Sequence, residues 1–132
     1  MHWMQWQAMA LGAALAATAV AQPLEHRARN GVNWMTGGVS LEERDVMRDF
    51  APDYNLQVVV AIEGSGEYRA EVPVTIEDRN GDAVLNVVTD GPWLFARVAL
   101  GRYRIRTGDG QERTIEVGAN GRTVVYFRSP TE

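Results

Sequence analysis

Residues 91–106 read GPWLFARVALGRYRIR, the densest aromatic and β-branched passage after the N-terminus. Gly101 interrupts this passage, and an isolated glycine in a strand pattern marks a bend or break. The pattern therefore predicts two strands that meet at a tight corner. We expect the large apolar side chains of the passage to fill the core: Trp93, Phe95, Val98, Tyr103 and Ile105.

The sequence after this passage predicts a hairpin and a final strand. Gly-Asp-Gly at residues 108–110 favours a three-residue loop, which places apolar opposite apolar and arginine opposite glutamate. The resulting pairs are Tyr103 with Ile115, Arg106 with Glu112 and Arg102 with Glu116. A last strand is predicted at about residues 122–128, with Thr123, Val125 and Phe127 on one face and Val124 and Tyr126 on the other.

The sequence before the passage predicts three more strands. Leu56, Val58, Val60 and Ile62 alternate as one inward face, and Val72, Val74 and Ile76 repeat the pattern. Asn80-Gly81 favours a two-residue type I′ turn. That turn sets Ile76 opposite Leu85, Val74 opposite Val87 and Thr75 opposite Asn86. Pro73 points outward, which suits an edge strand.

Seven strands with a turn signal every 8 to 12 residues predict an all-β fold, a seven-stranded antiparallel β-sandwich at residues 55–128. A short helix is predicted at residues 40–51. Ser40 and Glu43 form a capping box at its start, and Pro52 prevents its continuation. Val46, Met47 and Phe50 give it one apolar stripe, which we expect to pack on the core.

The N-terminal segment predicts export. Residues 1–21 contain no Asp, Glu, Lys or Arg, and their apolar run ends in small residues, which indicates a signal peptide cleaved between Ala21 and Gln22. An uncleaved anchor helix is the alternative. Residues 22–39 are interpreted as a leader or linker. This leader is either a flexible tether or, through Val32, Trp34 and Met35, a strand docked on the body.

Composition excludes several classes of function. The formal net charge of −4 gives no electrostatic basis for nucleic-acid binding. The chain has no lysine for Schiff-base chemistry and no cysteine for disulfides or lipid anchors. We therefore expect one domain that is periplasmic or secreted and is not embedded in a membrane after cleavage.

Four passages resemble a known family: VPVTIED at residues 72–78, NG at 80–81, TDGPWLF at 89–95 and GRYRIR at 101–106. They are similar to the carboxypeptidase regulatory-like domain, a transthyretin-like or prealbumin-like β-sandwich related in shape to immunoglobulin-like modules. The resemblance implies a fold rather than an activity, because such domains are not themselves peptidases. The leader and the capped helix before the sandwich also look like those of small exported bacterial proteins that carry only this domain.

Candidate catalytic and metal residues all have simpler interpretations. His26 is the only histidine after cleavage, so neither a zinc site nor a catalytic triad can form. The hairpin accounts for the acidic loop at residues 78–82, which lacks calcium-site spacing. Glu63, Glu67, Glu71 and Glu77 fit a solvated face better than an acid–base pair. We therefore expect no enzyme activity, no cofactor and no metal.

The candidate binding residues also have alternative interpretations. Arg102, Arg104 and Arg106 form an outward stripe that either binds an anion or forms ion pairs with Glu112 and Glu116. Trp93 and Phe95 are expected in the core rather than on a sugar-binding surface. We therefore expect a non-catalytic module with a structural or protein-interaction role in the cell envelope, its partner an unknown envelope protein. The alternative is a small-molecule, carbohydrate or peptide binder, with its site in the leader at Trp34, in the helix or in the end loops.

Overall fold

The computed structural model describes residues 23–62 and 71–129. The predicted signal peptide, its cleavage point at Ala21 and Gln22, and the carboxylates Glu63 and Glu67 lie outside these ranges. The described residues form nine strands and one α-helix. Their bounds are β1 His26–Arg27, β2 Asn33–Gly37, α1 Leu41–Phe50, β3 Leu56–Ile62, β4 Pro73–Asp78, β5 Ala83–Val88, β6 Trp93–Arg97, β7 Gly101–Thr107, β8 Glu112–Val117 and β9 Thr123–Ser129.

The strands form two sheets that pack face to face. The five-stranded sheet has the order β1-β2-β6-β3-β9, and the four-stranded sheet has the order β5-β4-β7-β8. Fifteen buried side chains from both sheets form the core between them, including Val58, Ile76, Ile105 and Phe127. The protein is therefore a mostly β, two-sheet sandwich with one short helix.

The structure differs from the predicted sandwich in two details. Strands β3 to β9 number seven, but β1 and β2, from the segment interpreted as a leader, join the same sandwich, so the described residues form nine strands. The sheets are not purely antiparallel, because β9 pairs in parallel with β3 from Leu56 and Thr123 to Ile62 and Ser129. The pairing partner of a last strand depends on contacts distant in sequence, which a local pattern does not reveal.

The leader docks on the body as a strand. In β2, Trp34 lies opposite Ala96 and Met35 lies opposite Phe95, so β2 extends the five-stranded sheet beyond β6. Trp34 packs against the core between the sheets, whereas Met35 is fully buried on the other face. Both faces of β2 are thus covered, and this explains why its sequence does not alternate between polar and apolar residues.

The passage at residues 91–106 forms the predicted pair of strands. The chain leaves the five-stranded sheet at the end of β6 and enters the four-stranded sheet at Gly101, where φ is +148°. The Tyr103 hydroxyl donates to the carbonyl oxygen of Ala99 at 2.7 Å. Because Tyr103 lies near the start of β7, this bond fixes the corner to that strand.

The prediction of a core position is confirmed for Phe95, which is 1% exposed, and is wrong for Trp93, which is only half-buried. Val98, Tyr103 and Ile105 lie in the core between the sheets as expected, but Phe95 lies in a second cluster on the opposite face of the five-stranded sheet, under α1. Trp93 packs against that second cluster and is only half-buried. The inward side chains of β6 are the smaller Leu94 and Ala96, both fully buried.

Both predicted hairpin registers are confirmed. Across residues 108–110, Arg106 pairs with Glu112, Arg102 with Glu116 and Tyr103 with Ile115. Across the other hairpin, Val74 pairs with Val87, Thr75 with Asn86 and Ile76 with Leu85.

The turn between β4 and β5 differs from the type I′ prediction. The Asp78 amide donates to the Asp82 carbonyl at 2.9 Å, which leaves residues 79–81 in the loop. Gly81 has φ +87°, whereas the only described non-glycine residue with positive φ is Glu71, so Asn80 does not adopt the type I′ conformation. A bulge after Ile76 absorbs the extra residue and preserves the predicted pairs.

Pro73 does not lie on an edge strand. Strand β4 runs between β5 and β7 in the interior of the four-stranded sheet. Proline is tolerated there because it is the first residue of the strand. Its carbonyl oxygen still accepts from the Gly108 amide at 2.9 Å.

Helix α1 begins after Ser40, whose hydroxyl accepts from the Glu43 amide at 3.1 Å, as the capping box predicts. The return bond differs, because Glu43 accepts from the amides of Gly38 and Val39 instead of Ser40. The helix ends at Phe50 and a 3-10 turn with Pro52 follows. Met47 and Phe50 cover Phe95 and Tyr54 in the second cluster. None of the described helices is long and apolar enough to cross a membrane.

Candidate functional site

The arginine stripe on β7, formed by Arg102, Arg104 and Arg106, is neutralised. Arg102 pairs with Glu116 at 3.5 Å and Arg104 pairs with Glu112 at 3.7 Å. Arg106 pairs with Glu77 on β4, where the glutamate side chain is only 14% exposed. All three arginines therefore form ion pairs, and the predicted pair of Arg102 with Glu116 is confirmed. The other two partners differ, because Glu112 pairs diagonally with Arg104 although its backbone faces Arg106, and Arg106 pairs with Glu77 instead.

A polar cleft of about 460 Å³ lies beside this stripe, at the β4–β5 hairpin. Arg79, Arg102 and Arg104 line it together with Glu77 and Asp78, so its walls carry both signs of charge. Asp78 is occupied by the turn itself, since its carboxylate accepts from the amides of Asn80 and Asp82 at 2.9 and 3.0 Å. Arg102, Arg104 and Glu77 are engaged in ion pairs with Glu116, Glu112 and Arg106, so most charges of this cleft already have partners.

Trp34 is not an exposed binding residue. It is half-buried against the core between the sheets, and His26 on β1 stacks on its ring with 4.3 Å between the centroids. The one histidine expected to survive cleavage thus covers the edge of the core. Among residues 23–62 and 71–129, no three His, Asp or Glu side chains are grouped closely enough to hold a metal ion.

A second set of arginines gathers at the end of the sandwich where β6 meets its corner. Arg27, Arg97 and Arg122 are exposed, and each donates to a neutral oxygen rather than to a carboxylate. Arg27 donates to the Asn33 side-chain oxygen at 3.2 Å, Arg97 to the Asp53 main-chain oxygen at 2.9 Å and Arg122 to the Gln57 side-chain oxygen at 3.1 Å. We call these three arginines, with the corner at residues 98–100, the arginine end.

Two clefts open at the arginine end. One of about 490 Å³ contains Arg97 and Arg122 and is walled by Ala51, Pro52 and the small residues of the 118–121 loop. The other, of about 520 Å³, contains Arg27 and Arg97. Asn55, Arg97 and Leu100 line both. Among the described residues, no Asp or Glu lines either cleft, so the three positive charges are not cancelled by the cleft walls.

Hydrogen bonds hold the corner of the arginine end in place. The Asn55 side chain donates to the Val98 carbonyl at 2.7 Å and accepts from the Val98 amide at 2.9 Å. The Asn55 carbonyl accepts from the Thr123 amide at 2.9 Å, which ties in the start of β9. Together with the bond from Tyr103 to Ala99, these contacts fix the backbone between Arg97 and Leu100. The arginine end is thus preorganised.

Two more features shape this surface. Leu100, which is 60% exposed, presents an apolar side chain between the clefts. Tyr54, in the wall of the first cleft, is 3% exposed and donates its hydroxyl to Glu25 of the leader. Burial, the Glu25 hydrogen bond and the charges of Glu25 and Asp53 raise the pKa of Tyr54 above its ordinary value. Glu25 is thereby engaged by tyrosine and not by arginine.

Sequence reasoning pointed to arginines 102, 104 and 106 because they alternate along one strand. Arg27, Arg97 and Arg122 are far apart in sequence and show no spacing that links them. The available signal was general, since the end loops of a sandwich are a frequent place for binding sites. The Gly-Ala-Asn-Gly run before Arg122 marked one such loop.

No family model matches the chain, and no curated protein matches it either.

Proposed function

We propose that the protein is an exported, non-catalytic β-sandwich module that binds another component of the cell envelope. The uncharged N-terminal run of residues 1–21, with its apolar segment and small residues before Gln22, supports export to the periplasm or the medium. The resemblance to carboxypeptidase regulatory-like and transthyretin-like domains supports a binding role, since such domains accompany catalysis in larger proteins without performing it.

The arginine end is the observation that supports this proposal most directly. Three exposed arginines on an acidic chain hold their side chains on neutral oxygens, and a guanidinium that makes one such bond keeps further donors for a ligand. The corner between them is fixed by Asn55 and Tyr103, which lowers the entropy cost of binding. We assign the partner-binding surface to this end.

A capture experiment with matched charges tests the proposal. Envelope extract from the source cells is passed over immobilised wild type, the Arg97→Gln/Arg122→Gln variant and the control Arg102→Gln/Arg104→Gln. Both variants lose two positive charges, so their formal net charge changes from −4 to −6 alike. We expect a component that wild type and the control retain and the arginine-end variant loses. Equal recovery by all three, or no recovery, would contradict the proposal.

Export is tested separately. The full chain is expressed in a Gram-negative host, and the N-terminus of the protein released from the periplasm is sequenced. Cleavage between Ala21 and Gln22 is the expected outcome. A precursor that stays in the cytoplasm would remove the envelope from the proposal.

The alternative function is binding of a small anionic molecule, which the volumes of the two clefts favour, since ligand pockets commonly measure about 300–1,000 Å³. Thermal-shift screening with sugars, peptides and organic acids distinguishes the two. A ligand at about 100 times its Kd stabilises the fold by roughly 2.7 kcal/mol. A shift with an organic acid that is absent in Arg97→Gln would favour the small-molecule function.

A further inference from the structure

We infer that the arginine end binds an extended acidic segment of a partner protein, in which two carboxylate side chains flank one apolar residue. This inference rests on the proposed function, because it specifies the chemistry of the partner at the same surface. It predicts which sequence feature the partner must have.

The charge of the arginine end requires anionic ligands. Arg97 uses one nitrogen on the Asp53 carbonyl and Arg122 uses Nε on Gln57, so each keeps other guanidinium N–H groups for a ligand. A carboxylate matches the planar guanidinium with two parallel hydrogen bonds. Neither arginine has a carboxylate of its own chain within ion-pair distance among the described residues, so a partner carboxylate would meet no competitor.

The layout of the clefts requires two anionic groups. Arg97 and Arg122 lie in one cleft, Arg27 and Arg97 in the other, and Leu100 belongs to the walls of both. An apolar ligand side chain resting on Leu100 would therefore place flanking groups toward the two clefts. Because side chains i, i+2 and i+4 of an extended peptide point the same way, a strand with one residue between the apolar side chain and each carboxylate can present all three groups together.

The surroundings favour a peptide over a phosphate or a nucleic acid. A single phosphate would occupy one cleft and leave both the other cleft and Leu100 uncovered. A nucleic acid would have to approach a chain whose formal net charge is −4, which opposes its phosphates over any larger contact area. A short acidic segment needs only the local positive charge and gains apolar contact with Leu100.

Binding of labelled peptides tests the inference by fluorescence anisotropy. The probes carry two glutamates that flank one leucine, with no, one or two glycines on each side, because the spacing is the unknown. Two matched controls replace both glutamates by glutamine or the leucine by serine. The proteins are wild type, Arg97→Gln, Arg97→Gln/Arg122→Gln and the control Arg102→Gln/Arg104→Gln, each checked for folding by thermal melting. Glutamine at position 97 removes the charge and keeps side-chain N–H groups.

A peptide of at least one spacing should bind wild type. The same peptide with glutamine in place of both glutamates should bind at least about 10-fold more weakly, since charge-assisted hydrogen bonds are stronger than neutral ones. Arg97→Gln should weaken binding roughly 10-fold or more and the double variant further, whereas the β7 control should match wild type. Affinity should fall as salt is added. Replacement of the leucine by serine should weaken binding by a smaller factor.

Three outcomes would overturn the inference. They are equal binding by wild type and the arginine-end variant, equal binding of glutamate and glutamine peptides, and displacement of the peptide by inorganic phosphate at the same concentration. If no peptide binds while envelope capture still depends on Arg97 and Arg122, the inference fails and the proposed function stands. If the peptides bind as expected but no envelope component is captured, the site stands and the proposed function fails.

Discussion

The protein presents two sets of three exposed arginines, and their neighbours make them different. On the β7 stripe, each arginine faces a glutamate of its own sheet. At the arginine end, each donates to an amide or main-chain oxygen, which carries no net charge. The number and exposure of the arginines therefore do not distinguish the two sets. The sets differ in the charge of the oxygens to which their guanidinium groups donate.

The difference has a structural origin. Antiparallel pairing places Glu112 and Glu116 on the strand beside β7 and Glu77 on the strand at its other side, so the register itself supplies carboxylates. At the arginine end, Arg27 and Arg97 also lie in antiparallel register, but both face the neutral Asn33, and Arg122 precedes β9 outside any strand. These arginines bond to free backbone and amide oxygens, which satisfies hydrogen bonding but leaves the charge available.

The largest effect on stability is expected at Phe95, whose ring lies beneath the arginine end. The centre of this ring is 5.6 Å from the Arg122 guanidinium. Phe95 is 1% exposed, so Phe95→Ala should lower the free energy of unfolding by about 3–5 kcal/mol. Trp93→Ala, on the same face but half-buried, should cost roughly half as much. Urea denaturation measures both, and a larger loss at Trp93 would contradict the assignment of the two rings.

The next effect concerns the bond that fixes the arginine end. Asn55→Ala removes both side-chain bonds to Val98 and leaves a backbone amide and carbonyl unpaired, so we expect a loss of about 2–4 kcal/mol. Thr75→Ala on the stripe face removes one exposed bond to Asn86 and should cost about 0.5 kcal/mol or less. Equal stabilities in urea would show that the corner is not held by Asn55.

The sequence predicted the pairing of the hairpins better than the faces of the central strand. Gly-Asp-Gly fixes the loop at residues 108–110, and alternation then decides which residues face each other, so Tyr103 pairs with Ile115 as expected. At Asn-Gly the loop is one residue longer than predicted, and the bulge after Ile76 preserves the predicted pairs. In β6 both faces are apolar, so alternation gave no means of deciding whether Phe95 or Leu94 points between the sheets. Phe95 points away from the other sheet because helix α1 covers it, and this packing is visible only in the structure.

The candidate site was less predictable than the fold. A stripe such as Arg102, Arg104 and Arg106 is visible as a pattern, and so are the glutamates that neutralise it. Arg27, Arg97 and Arg122 come together only because β2 docks beside β6 and β9 pairs with β3. Both pairings join segments distant in sequence, and the first involves a leader whose strand carries no alternation.

A smaller effect separates the ion pairs of the stripe. Glu77 is the least exposed carboxylate of the three, so Glu77→Gln should lower the free energy of unfolding by about 1 kcal/mol, whereas Glu112→Gln should cost about 0.5 kcal/mol or less. Both losses should shrink when urea titrations are repeated in high salt. A loss at Glu112 as large as that at Glu77 would contradict the ranking by burial.

Arg97→Gln should behave differently from the stripe. Arg97 is exposed, and its replacement removes one bond to the Asp53 carbonyl but no carboxylate partner among the described residues, so the free energy of unfolding should change by about 0.5 kcal/mol or less. Because no ion pair is removed, this change should be the same at low and high salt. A loss that shrinks with salt would indicate an ion pair at Arg97 and would remove the contrast between the two arginine sets.

The smallest effect is confined to alkaline pH and compares the tyrosines of the two regions. Burial raises the pKa of both Tyr54, at the arginine end, and Tyr103, beside the stripe cleft. The Glu25 hydrogen bond and the charges of Glu25 and Asp53 raise the pKa of Tyr54 further, and the charge of Asp78 raises that of Tyr103 further. Unfolded tyrosine loses its proton near pH 10. Above that pH the folded state binds more protons than the unfolded state, so the free energy of unfolding falls as pH rises. Tyr54→Phe should reduce this fall more than Tyr103→Phe does in melts from pH 8 to pH 11, since the Tyr54 hydroxyl donates directly to a carboxylate, Glu25, whereas the Tyr103 hydroxyl donates to the neutral carbonyl of Ala99. The opposite order would mean that the Glu25 contact does not hold the leader against the arginine end in solution.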